Sequence, residues 1–89
     1  MDSAILDQLR KKIDNLDEEL LKILSQRTMI VSQIGKQKKN QGLEPLDEKR
    51  MNEVLQKMLD KGRELNLSDD FIKKLHALIH EYSLEVEKK

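Results

Sequence analysis

An uninterrupted apolar seam near the N-terminus constrains this chain more than any other feature of its sequence. The apolar residues recur at spacings of three and four, the heptad-like pattern of a helix that packs along another helix. No glycine or proline occurs between residues 7 and 34. The pattern predicts one α-helix from about residue 4 to about residue 39. Its seam consists of Leu6, Leu9, Ile13, Leu16, Leu20, Ile23, Leu24, Ile30, Val31 and Ile34.

A helix of this length cannot be covered by the rest of the chain. About 35 residues at 1.5 Å each span about 52 Å. A compact globule of 89 residues has a radius of gyration of only about 12 Å. We therefore expect the seam to meet a second copy, which predicts an obligate homodimer of intertwined long helices.

Two shorter helices are predicted after a break at residues 40–45. The second begins near residues 45–47 and carries an i, i+3, i+4, i+7, i+8 stripe from Met51 to Leu59. The third follows Ser68, a favourable N-cap residue, and runs almost to the end. No segment has the alternating pattern of a strand. The predicted fold class is all-α, with residues 1–89 as a single domain of three helices in an intertwined homodimeric bundle.

Composition excludes several classes of protein. Seventeen basic residues balance seventeen acidic ones, whereas a non-specific nucleic-acid binder needs a basic surplus. The absence of cysteine leaves no disulfide framework. No run of 18 apolar residues occurs, and the N-terminal residues lack the basic-then-apolar pattern expected of a signal peptide. We expect a cytoplasmic protein that binds neither nucleic acid nor membrane.

The usual catalytic motifs and metal sites are missing from the sequence. There is no G-x-S-x-G elbow and no phosphate-binding loop. His76 and His80 are four residues apart and share one helix face, but no third ligand is evident. We expect this pair to lie on a half-exposed face and to bind no metal.

Basic residues close to the seam are more informative. Arg27 lies three residues after Leu24, where the seam calls for an apolar side chain, and Lys38 follows about three turns later on the same face. Arg10 is about 25 Å from Arg27 along the axis. It could reach the same small ligand only from an antiparallel second copy.

Each of these cations alone can be read as a snorkelling side chain whose charged end remains in water. Taken with Arg50 and Ser83, however, the pattern of Arg10, Arg27 and Lys38 favours a basic pocket. Such a pocket would suit a dianionic small molecule.

Four stretches carry a resemblance to a known family. They are LRKKIDNLDEELLKILSQR (9–27), IGKQK (34–38), PLDEKR (45–50) and IHEYS (79–83). With them, nearly the whole chain resembles the all-helical class of chorismate mutases. The sequence ALIHEYS (77–83) resembles the corresponding stretch of mutase domains that are fused to heptulosonate-phosphate (DAHP) synthase. Such a synthase is therefore a candidate partner.

The resemblance implies an isomerase of phenylalanine and tyrosine biosynthesis. Its reaction would be the Claisen rearrangement of chorismate to prephenate, which is unimolecular and needs no cofactor and no metal. The enzyme would hold the dianion in a reactive conformer and stabilise the charge that develops on the ether oxygen.

The resemblance also implies roles for individual residues. Arg10 of the second subunit and Arg27 would clamp the two carboxylates, for which the guanidinium fork is suited. Lys38 would donate to the ether oxygen, and Ser83 would lie beside a substrate carboxylate.

The start of the second helix would recognise the ring hydroxyl. Asp47 would contact it through the backbone, and Arg50 would orient or support the acidic groups of the pocket. Many family members carry glutamate after the arginine that matches Arg50, and this glutamate binds the hydroxyl. Met51 stands at that position, so this contact is expected to be weakened.

A second departure from the family pattern concerns Glu87, where many members have glutamine. An amide donates a hydrogen bond at any pH, whereas a carboxyl donates only when protonated. If Glu87 contacts the ether oxygen, the rate is expected to fall as the pH rises.

Two other functions remain open from the sequence. An isochorismate–pyruvate lyase resembles this family in fold and pocket, and differs in its substrate and products. A non-catalytic helical dimerisation or regulatory module would explain the seam and the high charge, but it leaves Arg27 in the seam unexplained.

Overall fold

Three α-helices make up the computed structural model, which describes residues 2–89. Helix α1 spans Asp2–Asn40, α2 spans Glu48–Glu64 and α3 spans Asp69–Lys88. The predicted all-α fold is confirmed, and no strand occurs in the described range. None of these three helices is both long and apolar enough to cross a membrane. The chain divides into two structural units, one ending at Ile30 and the other spanning Val31–Lys89.

The first unit presents the apolar seam of α1 to solvent. The exposed fraction is close to one half for each seam residue from Leu6 to Leu20, for example 51% at Leu9 and 56% at Ile13. Burying apolar surface stabilises by roughly 25 cal/mol per Å², and a contiguous exposed apolar patch usually marks an interaction surface. Burying this seam against another surface would therefore stabilise the folded chain considerably.

In the second unit, α2 and α3 pack against each other through a small core. Leu59 and Ile72 are 5% and 4% exposed. Gly62 makes this close packing possible, because a Cβ there would lie only 2.8 Å from Cγ1 of Ile72. The backbone of α2 can therefore approach Ile72 of α3 closely at Gly62.

The turn between α2 and α3 uses local hydrogen bonds and one backbone conformation that few residues adopt. Asn66 has a φ of 63°, in the left-handed region that asparagine tolerates better than most residues. Leu67 N donates to the Gly62 carbonyl at 2.8 Å. Ser68 accepts from Phe71 N at 3.1 Å, which confirms it as the N-cap of α3.

The histidine pair on α3 departs in part from its expected environment. The two rings are stacked, with centroids 5.8 Å apart and planes 6° from parallel. His76 is only 8% exposed, so the expected half-exposed face is wrong for this residue. It lies one turn after the buried Ile72 and therefore on the face that packs into the core. No group of three or more potential ligands with metal-binding geometry occurs in the part of the chain that the structure describes.

A surface ion pair fastens α2 to the start of α3. Arg63 Nε donates to Asp69 Oδ1 at 3.0 Å, and Nη2 donates to Oδ2 at 2.9 Å. These hydrogen bonds lower the pKa of Asp69 and raise the pKa of Arg63. A carboxyl with a lowered pKa contributes stability above its unfolded pKa, and this contribution is lost as the pH falls through the folded pKa.

Asp69→Asn is therefore expected to lower the melting temperature at pH 7 and to have a much smaller effect near pH 2, where both proteins lack the charge. Asp70→Asn is the matched control. Asp70 also lies in the first turn of α3 and so shares its favourable helix-end position, but its ion pair is with Lys74 at 3.0 Å, within the same helix. Thermal denaturation followed by circular dichroism measures both variants, and equal losses for the two would contradict a role for the Arg63 pair.

Candidate active site

A cavity of about 180 Å³ opens between the end of α1, the following loop and the end of α3. All of its lining lies within the second structural unit. The lining residues are Gly35, Lys38, Lys39, Leu43, Pro45, Glu87 and Lys88. Two of them, Lys38 and Glu87, were predicted as site residues from the sequence.

The side chain of Lys38 is fixed by two oxygens. Its Nζ donates to the Pro45 carbonyl at 2.6 Å and forms an ion pair with Glu87 Oε1 at 2.6 Å. The side chains of Lys38 and Glu87 are 20% and 11% exposed. Oε1 is buried and accepts no well-directed hydrogen bond from the residues described here, so its contact with Lys38 is chiefly electrostatic.

The loop after α1 brings the Pro45 carbonyl back to Lys38. Leu43 N donates to the Lys38 carbonyl at 2.7 Å, and Gly42 N donates to the Lys39 carbonyl at 3.2 Å. This is the Schellman arrangement, which ends a helix with a residue in the left-handed region. Gly42 provides it with a φ of 69°. The chain turns sharply as a result, and Pro45 lies beside the last turns of α1.

The first turn of α2 is fixed by a cap that uses one of the predicted site residues. Asp47 is the N-cap, and its Oδ1 accepts from Arg50 N at 3.0 Å. Its carboxylate is thus engaged in the cap, while its backbone belongs to the loop that follows Pro45. Arg50 is exposed and Met51 is half-buried.

On α3, Ser83 and Glu87 are four residues apart and share one face of the helix. Ser83 is 7% exposed, a burial unusual for a serine on a surface helix. The structure therefore places the predicted Ser83 on the same inward face as the carboxylate that holds Lys38.

Arg10 and Arg27 lie on α1 within the first structural unit, and both are exposed. Their approach to a ligand, and the common face predicted for Arg27 and Lys38, stay predictions.

The charge of the cavity lining favours an anionic ligand. Its lining residues include three lysines, Lys38, Lys39 and Lys88, and one acidic residue, Glu87. A concave site with a surplus of one sign of charge concentrates ligands of the opposite sign. Of the residues in the basic pocket that the sequence pattern favours, only Lys38 is in this lining, so that pocket stays a prediction.

Five of the lining residues were not predicted as site residues from the sequence, namely Gly35, Lys39, Leu43, Pro45 and Lys88. Pro45 contributes through its carbonyl, and a main-chain group carries no residue-type signal. Gly35 did carry a signal in the sequence, because an isolated glycine within a helical pattern commonly marks a place where another part of the chain comes close to the helix.

Comparison with known proteins identifies the family. A family model described as chorismate mutase type II matches residues 9–88. The chain belongs to this family. The resemblance found in the sequence is thereby confirmed, and the matched range includes the cavity and every predicted site residue.

Chorismate mutase relatives occur as parts of longer proteins. The chain is 32% identical over 80 residues to a bifunctional chorismate mutase/prephenate dehydratase of Buchnera aphidicola subsp. Acyrthosiphon pisum. It is 35% identical over 60 residues to the protein of the same name from Aquifex aeolicus. These matches cover 90% and 67% of the chain, but the chain spans only 21% and 17% of the relatives. Their names pair the mutase with a prephenate dehydratase. The DAHP synthase suggested by the sequence of residues 77–83 does not occur in these names.

Replacing Lys38 tests whether its ion pair contributes to stability. Lys38→Met leaves the carboxylate of Glu87 partly buried without its cation, so we expect the free energy of unfolding to fall by about 1–3 kcal/mol. The double variant Lys38→Met/Glu87→Gln should recover part of this loss, since no charge is then left unpaired. Lys36→Met, an exposed lysine outside the cavity lining, is the control. Equal unfolding free energies for Lys38→Met and Lys36→Met in urea titrations would contradict the role of the pair.

Proposed function

We propose that this chain catalyses the rearrangement of chorismate to prephenate. The observation that carries the proposal is the ammonium of Lys38, held by Glu87 and Pro45 beside a cation-rich cavity. It lies within the range that matches the chorismate mutase type II model. The chemistry required of such a site is electrostatic, and the cavity has the corresponding charges.

The reaction occurs within one molecule of substrate. The ether C–O bond breaks while a new C–C bond forms, electron pairs shift around a six-membered ring, and no proton leaves or arrives. Negative charge develops on the ether oxygen as its bond lengthens. A preorganised donor aimed at that oxygen lowers the barrier because it need not reorient during the reaction.

Lys38 is the donor that we assign to the ether oxygen. An ammonium has three N–H groups. One of them donates to the Pro45 carbonyl, whereas the contact with Glu87 Oε1 is an ion pair. An N–H group is therefore left to donate to the substrate. Because its two protein partners hold the ammonium in place, little side-chain entropy remains to be lost on binding.

A second copy of the chain is proposed to complete the site. The cavity of about 180 Å³ is smaller than the roughly 300–1,000 Å³ of ordinary small-molecule pockets, so further walls are needed. The exposed seam of α1 provides a surface on which a second copy would bury its own seam. In that dimer, Arg27 of one subunit and Arg10 of the other would bind the substrate carboxylates.

The remaining site residues are proposed to orient the substrate. Asp47 would contact the ring hydroxyl through its backbone, since its carboxylate caps α2. Arg50 would support the acidic groups, and the buried Ser83 would lie beside a carboxylate. Met51 offers no strong acceptor, which predicts weak recognition of the hydroxyl. A cytoplasmic location also stays a prediction.

The direct test follows the ultraviolet absorbance of chorismate with the purified chain and identifies the product. We expect prephenate, with kcat reduced at least about 100-fold in Lys38→Met, the loss typical of removing one donor to a developing oxyanion. Lys36→Met should retain the rate of the unaltered protein. Consumption of isochorismate to salicylate and pyruvate would instead identify a lyase, and loss of neither substrate would favour a non-catalytic helical module.

Subunit mixing tests whether each site combines Arg10 of one chain with Arg27 of the other. Arg10→Ala and Arg27→Ala should each be inactive alone. In a mixed dimer of the two variants, one site has both arginines, so random re-association should restore about a quarter of the sites.

The control mixture contains Arg27→Ala and Lys38→Met. Both residues are assigned to the same subunit of a site, so no mixed dimer has an intact site and activity should stay absent. Recovery in this control, or none in the Arg10→Ala mixture, would contradict the assignment.

The pH dependence of turnover separates two roles of Glu87. We propose that the ionised carboxylate holds Lys38, whereas a carboxyl that donates to the ether oxygen must be protonated. The holding role predicts that kcat does not fall as the pH rises from mildly acidic to mildly alkaline. Glu85→Gln, an exposed glutamate on the same helix, should leave the profile unchanged. A kcat that falls as the pH rises, with the fall removed in Glu87→Gln, would contradict the holding role and identify Glu87 as a donor.

A further inference from the structure

Gly35 lies where the last turns of α1 come close to the last turns of α3. A Cβ built on this residue would be 2.8 Å from the Cα of Glu87 and 2.9 Å from its carbonyl oxygen. Favourable contacts between carbon atoms begin at about 3.5 Å. A side chain at position 35 therefore cannot fit unless the main chain at Glu87 moves away.

The same face of α1 carries the lysine of the candidate site. Val31, Gly35 and Lys38 follow one another at i, i+4 and i+7, which places them along one side of the helix. Val31 and Gly35 are buried, and Lys38 is half-buried. The distance between the two backbones at Gly35 thus also determines how far the carboxylate of Glu87 stands from the ammonium one turn later.

We infer that Gly35 is a positioning residue: its missing side chain brings the end of α3 close enough for Glu87 to hold Lys38 at the cavity. This inference rests on the proposed function only for its effect on catalysis. The contact involves backbone atoms of Glu87, so shortening the Glu87 side chain cannot relieve a substitution at Gly35. The helix itself does not require glycine here, because alanine favours a helix interior by about 1 kcal/mol.

The test compares Gly35→Ala with Gly62→Ala. Both replace a buried helical glycine that packs against α3, but a Cβ at Gly62 would meet the side chain of Ile72, far along α3 from Glu87. The first readout is a double-mutant cycle with Lys38→Met and Glu87→Gln, measured by melting temperature. We expect the two substitutions to be non-additive in the unaltered protein and in Gly62→Ala, and additive in Gly35→Ala.

The second readout is turnover of chorismate by folded protein. Displacing a reacting group by about 1 Å can reduce rates by up to about 100-fold, so we expect Gly35→Ala to lower kcat at least about tenfold. Gly62→Ala should keep the kcat of the unaltered protein.

These two readouts separate the inference from the proposed function. If the unaltered chain does not convert chorismate, the proposed function fails, and the double-mutant cycle still decides the inference. If Gly35→Ala retains the coupling between Lys38 and Glu87, the positioning role of Gly35 is overturned. An unchanged kcat in Gly35→Ala, in an otherwise active protein, would likewise overturn it.

Discussion

The exposed apolar seam of α1 is the constraint on which the rest of the account depends. Seam residues such as Leu9 and Ile13 are about half exposed in the single chain. Apolar residues repeated at heptad spacing over this length are stabilised by another helix, and neither propensity nor surface charge replaces that contribution. The proposed dimer follows from this deficit of burial, and a site that uses residues of two copies follows from the dimer.

The second unit illustrates how a small core can still fix a functional group. Leu59 and Ile72 are nearly fully buried, but the shape of the cavity depends on three local backbone features. A Schellman turn at Gly42 reverses the chain, Asp47 caps α2, and Gly35 allows α3 to approach. Together they surround one ammonium with two oxygens at 2.6 Å. In a partly desolvated setting, such an arrangement would provide a fixed positive charge for the proposed rearrangement.

Much of this fold could be predicted from the sequence because its signals are local. The spacing of the seam predicted α1 to within two residues at each end, and Ser68 was identified as a cap from its residue type and position. Likewise, the breaks at Gly42 and Pro45 located the loop. The resemblance to chorismate mutases added Lys38, Glu87 and Ser83 as site residues, and the structure places all three in the second unit.

What the sequence missed depends on contacts between distant residues. The Pro45 carbonyl and the fit of Gly35 against Glu87 arise from how the chain folds back, and no spacing rule identifies Lys38 and Glu87 as their partners. His76 was expected to be half-exposed because its neighbours in sequence suggested a boundary, whereas its position one turn after Ile72 places it in the core. The clamp assigned to Arg10 and Arg27 depends on a second chain and stays a prediction.

The mass of the protein in solution tests the central claim most directly. Sedimentation equilibrium over a wide range of concentrations should give about 21 kDa, twice the 10.5 kDa of one chain. On dilution, the mass, the helical circular dichroism signal and the turnover of chorismate should fall together, because α1 and the shared site both depend on the second copy. A fully helical and fully active particle of 10.5 kDa would contradict the account.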